Sequence, residues 1–224
     1  MAPRASTARP WGRADRRFLG ALIVRNDTLL GDLVRMGREA YRLRLTPGTS
    51  GNLSIRSRRG LIISGSGVSL GFADRKDYVE VADNDVSGER RASSELPMHA
   101  AIYRKVPEAR AILHFHGPWI IQMGTRKCPH RWVPEPMPPE FSHLAPEGYI
   151  PRVPDMDPGS EELAESTAAA LLCGSRGAIL CGHGGVAWGD SPRDALHCAE
   201  AMESAGRSHY LYRLMSVIEG RDMR

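Results

Sequence analysis

From Phe18 to about Leu45 the apolar positions Leu19, Leu22, Ile23, Leu29, Leu30, Leu33, Val34 and Met36 recur at helical spacing, which predicts one interrupted helix or two. The pattern then changes. TPGTSGNLSIR and RRGLIISGSG are short β-branched runs punctuated by glycine, so strands joined by tight turns are expected, most simply as a hairpin. SSELPMHAAIYRKVP opens with serines, carries Glu95 in what reads as a first turn, and continues apolar at Met98, Ala101 and Ile102. That is the pattern of a capped helix, and Pro97 falls early enough to be tolerated. GSEELAESTAAALLCG has a serine cap, an acidic first turn and a closing glycine. SPRDALHCAEAMESAGRSHYLYRLMSVIEG reads as a long helix with Ser191 as cap and Pro192 as first residue. Two short apolar stretches, ARAILHFHG and GAILCGHGGVAWG, read as buried strands, the second interrupted by His183. The Pro-rich stretch 131–159 is too long for a passive turn, and long ordered loops often border active sites.

Composition narrows the class. A chain of 224 residues with 42% hydrophobic content has enough for one full core. Residues 18–224 are therefore expected to form a single domain. Residues 1–17, rich in Arg, Pro, Ala and Ser, read as a disordered arm, with a transit peptide as the competing reading. No apolar run approaches the roughly 20 residues that cross a bilayer, and the N-terminus lacks the apolar core of a secretory signal. A cytoplasmic protein with no membrane partner is expected. Cys128, Cys173, Cys181 and Cys198 show no CxxC spacing, so neither a disulfide framework nor a cysteine zinc site is suggested. The formal charge of +4 is spread along the chain rather than gathered in a stripe, which argues against nucleic acid and suits an anionic small substrate.

The chemistry lies in the polar residues that interrupt the apolar runs. Residues i and i+2 of a strand share a face, so His114 and His116 stand side by side while Phe115 points away. His183, isolated in the other strand and flanked by glycines, offers a third imidazole. Three neutral imidazoles with an open position describe a catalytic zinc site. A proton carrier is also needed, and Glu95 stands nineteen positions before His114, close enough for a helix and a strand to return it to the metal. An acidic residue serving only the helix dipole is the bland alternative. Ser93 and Ser94, with the turns GTSGN and SGSG, supply backbone N–H groups and hydroxyls of the kind that hold a phosphate, although neither turn has P-loop or dinucleotide spacing. His99, one turn after Glu95, reads either as support for a ligand or as a packed core residue. Cys181 is expected on the His183 face of its strand as a neutral thiol.

In order, GTSGNLS (48–54), ISGSGV (63–68), SSE (93–95), HFH (114–116) and GHGG (182–185) resemble the class II aldolase/adducin family, from about Asp32 to Met215. The resemblance implies an α/β fold, a three-layer α/β/α sandwich around a mainly antiparallel sheet. It also implies a homotetramer with active sites between subunits. By position, His114, His116 and His183 match the family's Zn2+ ligands, and three imidazoles would accept Mn2+ or Co2+ as well. Glu95 matches the catalytic acid/base, able to ligate the resting metal. Asn52, Ser66, Gly67, Ser93 and Ser94 match the groups that bind a sugar phosphate. The expected reaction is retro-aldol cleavage of a ketose phosphate to dihydroxyacetone phosphate and an aldehyde through a zinc-stabilised enediolate. The same site would serve a methylthioribulose-1-phosphate-type dehydratase, a 4-epimerase or a decarboxylase. A non-catalytic adducin-like scaffold is the alternative of a different class.

Two departures bear on the reaction. The resemblance implies a tyrosine from a tail after the last helix, which GRDMR is not expected to supply, and Tyr149 falls late in the central loop. Glu140, in that loop, is then a candidate extra acid/base, as in the related dehydratases.

Overall fold

The computed structural model describes residues 26–82, 85–125, 130–139 and 141–220. The expected arm 1–17 and the candidate Glu140 lie outside the described residues. Within them, α1 (Asn26–Arg42) precedes the strands β1 (Asn52–Arg56), β2 (Gly60–Ser64), β3 (Tyr78–Ala82) and β4 (Asp85–Ser87). Then come α2 (Leu96–Lys105), β5 (Ala111–Phe115), α3 (Pro118–Met123), β6 (Arg131–Trp132), α4 (Phe141–Leu144) and β7 (Ile150–Val153). The chain continues through α5 (Glu161–Ala170), β8 (Gly177–Leu180), β9 (Gly184–Gly189) and α6 (Pro192–Ile218).

All nine strands join one sheet, ordered β4-β3-β2-β1-β5-β9-β8-β7-β6. Seven neighbouring pairs are antiparallel; β7 and β8 alone run parallel, because α5 crosses over between them. The hairpin expected of β1 and β2 forms, with Ser54 opposite Ile63.

Alternation along the strands builds two cores. Leu53, Ile55, Ile62, Leu113 and Phe115 face one side, where they pack with Leu33 of α1, Ile120 of α3 and Ala195, Ala199 and Met202 of α6. Leu61, Ile63, Ile112, Val186 and Trp188 face the other, against Met98 and Ile102 of α2 and Leu163, Ala164 and Ala168 of α5. The result is helices on both faces of a mainly antiparallel sheet, the three-layer α/β/α sandwich anticipated above. No described helix is long and apolar enough to cross a membrane.

Two local expectations are corrected. GAILCGHGGVAWG is two strands, β8 and β9, and His183 sits in the turn between them. Gly182 at φ +72° reverses the chain there, a conformation that disfavours a side chain. Cys181 therefore shares a turn with His183, not a strand face. Glu95 is not inside a first turn: α2 starts at Leu96, and Glu95 holds the cap position without a side-chain capping bond. Ser93 Oγ accepts the Glu95 N–H instead, at 3.2 Å.

Candidate metal centre

Antiparallel pairing brings strand beginnings and ends to one edge of the sheet, and the sequence candidates gather there. β1 begins at Asn52, directly opposite His114 near the end of β5. β9 begins just after His183, and its Gly185 lies opposite Phe115. β2 ends at Ser64, whose carbonyl accepts the Ser93 N–H at 3.1 Å, while Ser66 N–H donates to the Arg91 carbonyl at 2.8 Å. The Ser66–Gly67 turn and the Ser93–Glu95 segment are thus laced together beside β1. Ser66, Gly67 and Ser94 are exposed, whereas Asn52 and Ser93 are buried.

Glycines permit the close approaches. A Cβ on Gly51, at φ +72°, would stand 2.7 Å from the His114 carbonyl oxygen, and one on Gly184 would stand 2.4 Å from that of Phe115. Any side chain at either place would push the turns away from β5.

The three imidazoles meet: one ring nitrogen from each of His114, His116 and His183 lies within 4.8 Å of the others. His114 is buried; the other two are partly exposed. The His114 Nδ1 lies 3.0 Å from the Gly185 carbonyl, which can only accept, so Nδ1 carries the proton and Nε2 presents a lone pair inward. His116 Nε2, 2.9 Å away, donates to that lone pair. A backbone carbonyl on the outer nitrogen is the arrangement that orients a metal-bound histidine.

Burial holds all three below the ordinary imidazole range, His116 to about 4; the neighbouring rings add to the effect on His114, and His183 adds to that on His116. Neutral rings are the form that binds a metal. For His183 the charge of Asp155, beside Gly182, opposes the burial.

Glu95 is buried, and its carboxylate accepts a hydrogen bond from the Gly159 N–H while Oε2 has no partner. Burial raises its pKa, and the Gly159 bond lowers it. His183 Nδ1 is likewise buried without a partner. Orphaned buried polar atoms of this kind are rare and ask for a ligand. Three neutral imidazoles fit a divalent ion, and the Glu95 carboxylate does not join the three-histidine group.

His99 lies beneath this edge. Its Nε2 is 2.6 Å from Asn52 Oδ1 and its Nδ1 2.7 Å from Ser54 Oγ, which is 2.8 Å from Tyr103 Oη. Burial keeps His99 neutral, with its pKa pushed down to about 3. One proton arrangement satisfies the set: Tyr103 donates to Ser54, Ser54 to Nδ1, and Nε2–H to the Asn52 carbonyl. The Asn52 amide N–H groups are left to face a ligand. This network and Asp155 have no local sequence signal; only the position of His99 one turn after Glu95 pointed to it. Tyr149 is half-buried under the Arg131 guanidinium, 4.5 Å from its ring centroid, and belongs to neither cluster.

Fold and site together define a three-layer α/β protein carrying a histidine group suited to a metal. The chain belongs to the class II aldolase family: residues 31–210 match the Class II Aldolase and Adducin N-terminal domain. It is an enzyme of that superfamily. It is 29% identical over 180 residues to the 3-oxo-tetronate 4-phosphate decarboxylase of Haemophilus influenzae, covering 78% of this chain and 83% of that one. To the L-fuculose phosphate aldolase of the same organism it is 29% identical over 184 residues, covering 81% of each. The L-fuculose-1-phosphate aldolase of Thermus thermophilus superposes with a TM-score of 0.75 at 25% identity, over 88% of this chain and 99% of that one.

Proposed function

We propose that this protein is a metal-dependent lyase that breaks a carbon–carbon bond of a phosphorylated keto substrate and releases dihydroxyacetone phosphate. Retro-aldol cleavage of a ketose phosphate, with an aldehyde as second product, is the primary reading. The observation that carries it is one sheet edge holding both the three-imidazole group with the unsatisfied Glu95 Oε2 and the polar groups of Asn52, Ser66 and Ser93. Decarboxylation is a second reading, favoured by the similarity to the 3-oxo-tetronate 4-phosphate decarboxylase.

His114, His116 and His183 would hold the ion, Zn2+ first and Mn2+ or Co2+ as substitutes. When bound, it supplies Lewis-acid stabilisation of the negative charge that bond breaking leaves on the substrate oxygens. Asn52, with its carbonyl engaged by His99, turns N–H donors to the phosphate, joined by Ser66, the Gly67 backbone, Ser93 and Ser94. Glu95, raised by burial, carries a proton to or from the carbon that loses its bond.

The domain 18–224 is read as one unit, supported by its single sheet. A homotetramer is part of the same proposal. The far end of α6 exposes Leu211, Leu214, Met215, Val217 and Ile218, a stripe that another subunit would cover. A cytoplasmic setting accords with the free thiols of Cys173, Cys181 and Cys198.

The test is metal analysis of the purified protein, then incubation with a panel of ketose phosphates and detection of dihydroxyacetone phosphate through a coupled reductase. About one ion per chain with triose phosphate released supports the lyase. A folded protein without metal would sink it.

A further inference from the structure

A cavity of about 580 Å3 opens beside His116, walled by Tyr41, Arg42, Arg44, Pro47, His116 and Ile121. Its two guanidinium groups differ. Arg42 is engaged through both Nε and Nη2 by the Glu39 carboxylate. The Arg44 guanidinium has no hydrogen-bond or ion-pair partner among the described residues and is exposed. Arg44 is also the only described non-glycine residue at positive φ, +61°. A side chain in the left-handed region crowds the following carbonyl, so the backbone alone would favour glycine here, at the end of α1. An arginine kept against that preference, unpaired, in a cavity that shares a wall with the histidine group, is an observed outlier that asks for a ligand.

The groups at Asn52, Ser66 and Ser93 are neutral donors suited to a phosphate, whereas Arg44 offers a charged planar fork, which matches a carboxylate in two parallel hydrogen bonds. We propose that Arg44 receives a substrate carboxylate, so that the substrate is a phosphorylated 3-keto acid with its anionic ends on opposite sides of the histidine group. This rests on the lyase reading and chooses between its two reactions. In such an acid the C1–C2 bond breaks, its electron pair passes to C2 and onto the C3 ketone oxygen, and carbon dioxide leaves. One proton, delivered by Glu95 and replaced from water, is then added at C2. With a hydroxyl on C2 and the phosphate on C4, the product is dihydroxyacetone phosphate. Arg44 orients the acid and is a specificity residue, not a proton carrier.

Two probes separate the contributions: 4-phosphoerythronate and erythritol 4-phosphate differ only in carboxylate against hydroxymethyl at C1, and neither has a ketone to react. Titration calorimetry on the zinc-loaded enzyme should show the acid bound about tenfold or more tighter than the alcohol. Arg44→Gly should abolish that preference while leaving the alcohol's affinity unchanged. The same variant should melt a few degrees higher, since glycine relieves the positive φ, which separates lost recognition from lost folding. Arg44→Lys should recover part of the preference, having the charge without the fork. Equal affinity of the wild type for both probes overturns the inference and leaves the lyase standing, as does a preference that survives Arg44→Gly. Binding of neither phosphate overturns the sugar-phosphate reading and this inference with it.

Discussion

Around His99 both ring nitrogens and the hydroxyls of Ser54 and Tyr103 have partners, whereas around His183 the partners run out. Both groups are polar clusters at one edge of the sheet, and both keep their imidazoles neutral. In the first, His99, Ser54, Asn52 and Tyr103 close a chain of hydrogen bonds of 2.6 to 2.8 Å. In the second, His114 and His116 share one proton, while His183 Nδ1 and Glu95 Oε2 are left bare. A closed network holds a shape; an open one is shaped for something that is not protein. The difference teaches why His99 belongs to structure and the other three to chemistry, a choice the sequence leaves open for His99.

The comparison is broken most severely at the open cluster. His116→Ala is expected to reduce bound metal from about one ion per chain to near none and to cut turnover by about 10³-fold or more, read by metal analysis and the coupled assay. Glu95→Gln should keep the metal and lower turnover by about 10²- to 10⁴-fold, the usual loss of a general acid/base. Loss of metal in this variant would make Glu95 a required ligand instead.

Stability should rank the two clusters the other way. His99→Ala strands Ser54 and Asn52 and leaves a cavity, a loss of about 3 kcal/mol in denaturant unfolding of the metal-free protein. His183→Ala in the same protein should cost less than about 1 kcal/mol, because its Nδ1 has no bond to lose. Equal losses would erase the distinction.

A graded effect is expected with pH. Histidines with depressed folded pKa values take up protons first in the unfolded chain, so their contribution is fully present above about 6.5, the ordinary imidazole value. It is lost as pH falls toward about 4 for His116 and about 3 for His99. Denaturant midpoints of the metal-free protein should decline across that window, and zinc should reduce the decline near its upper end, where the site still outcompetes protons.

What the sequence disclosed follows from how local each feature is. Ser160 and Ser191 start α5 and α6 through hydrogen bonds three residues long, so their caps could be read directly. The β1–β2 hairpin was legible from its glycines, and the HFH pairing from the period of a strand. GAILCGHGGVAWG reads as one strand through His183 because an apolar run does not reveal where it turns; the left-handed Gly182 decides that. Glu95 resembled a first-turn acid because SSE mimics a cap, yet its own N–H is held by Ser93 and the helix starts one residue later. The partnership of His99 with Asn52 spans 47 residues, and only the folded sheet brings the two together. Short strands such as β6 and β7, inside the Pro-rich stretch, have too few residues for a period to appear.

The pairing of β5 with β9 has a kinetic consequence. His114 bonds the Gly185 carbonyl 71 residues along the chain, and His183 reaches the other two rings only when that pairing is in place. Such a long loop closes late, after local helices and hairpins have formed. A metal ion therefore meets a complete set of ligands only in the finished molecule. It would leave the rate of folding almost untouched and act on the rate of escape, lengthening the life of the native state rather than hastening its birth.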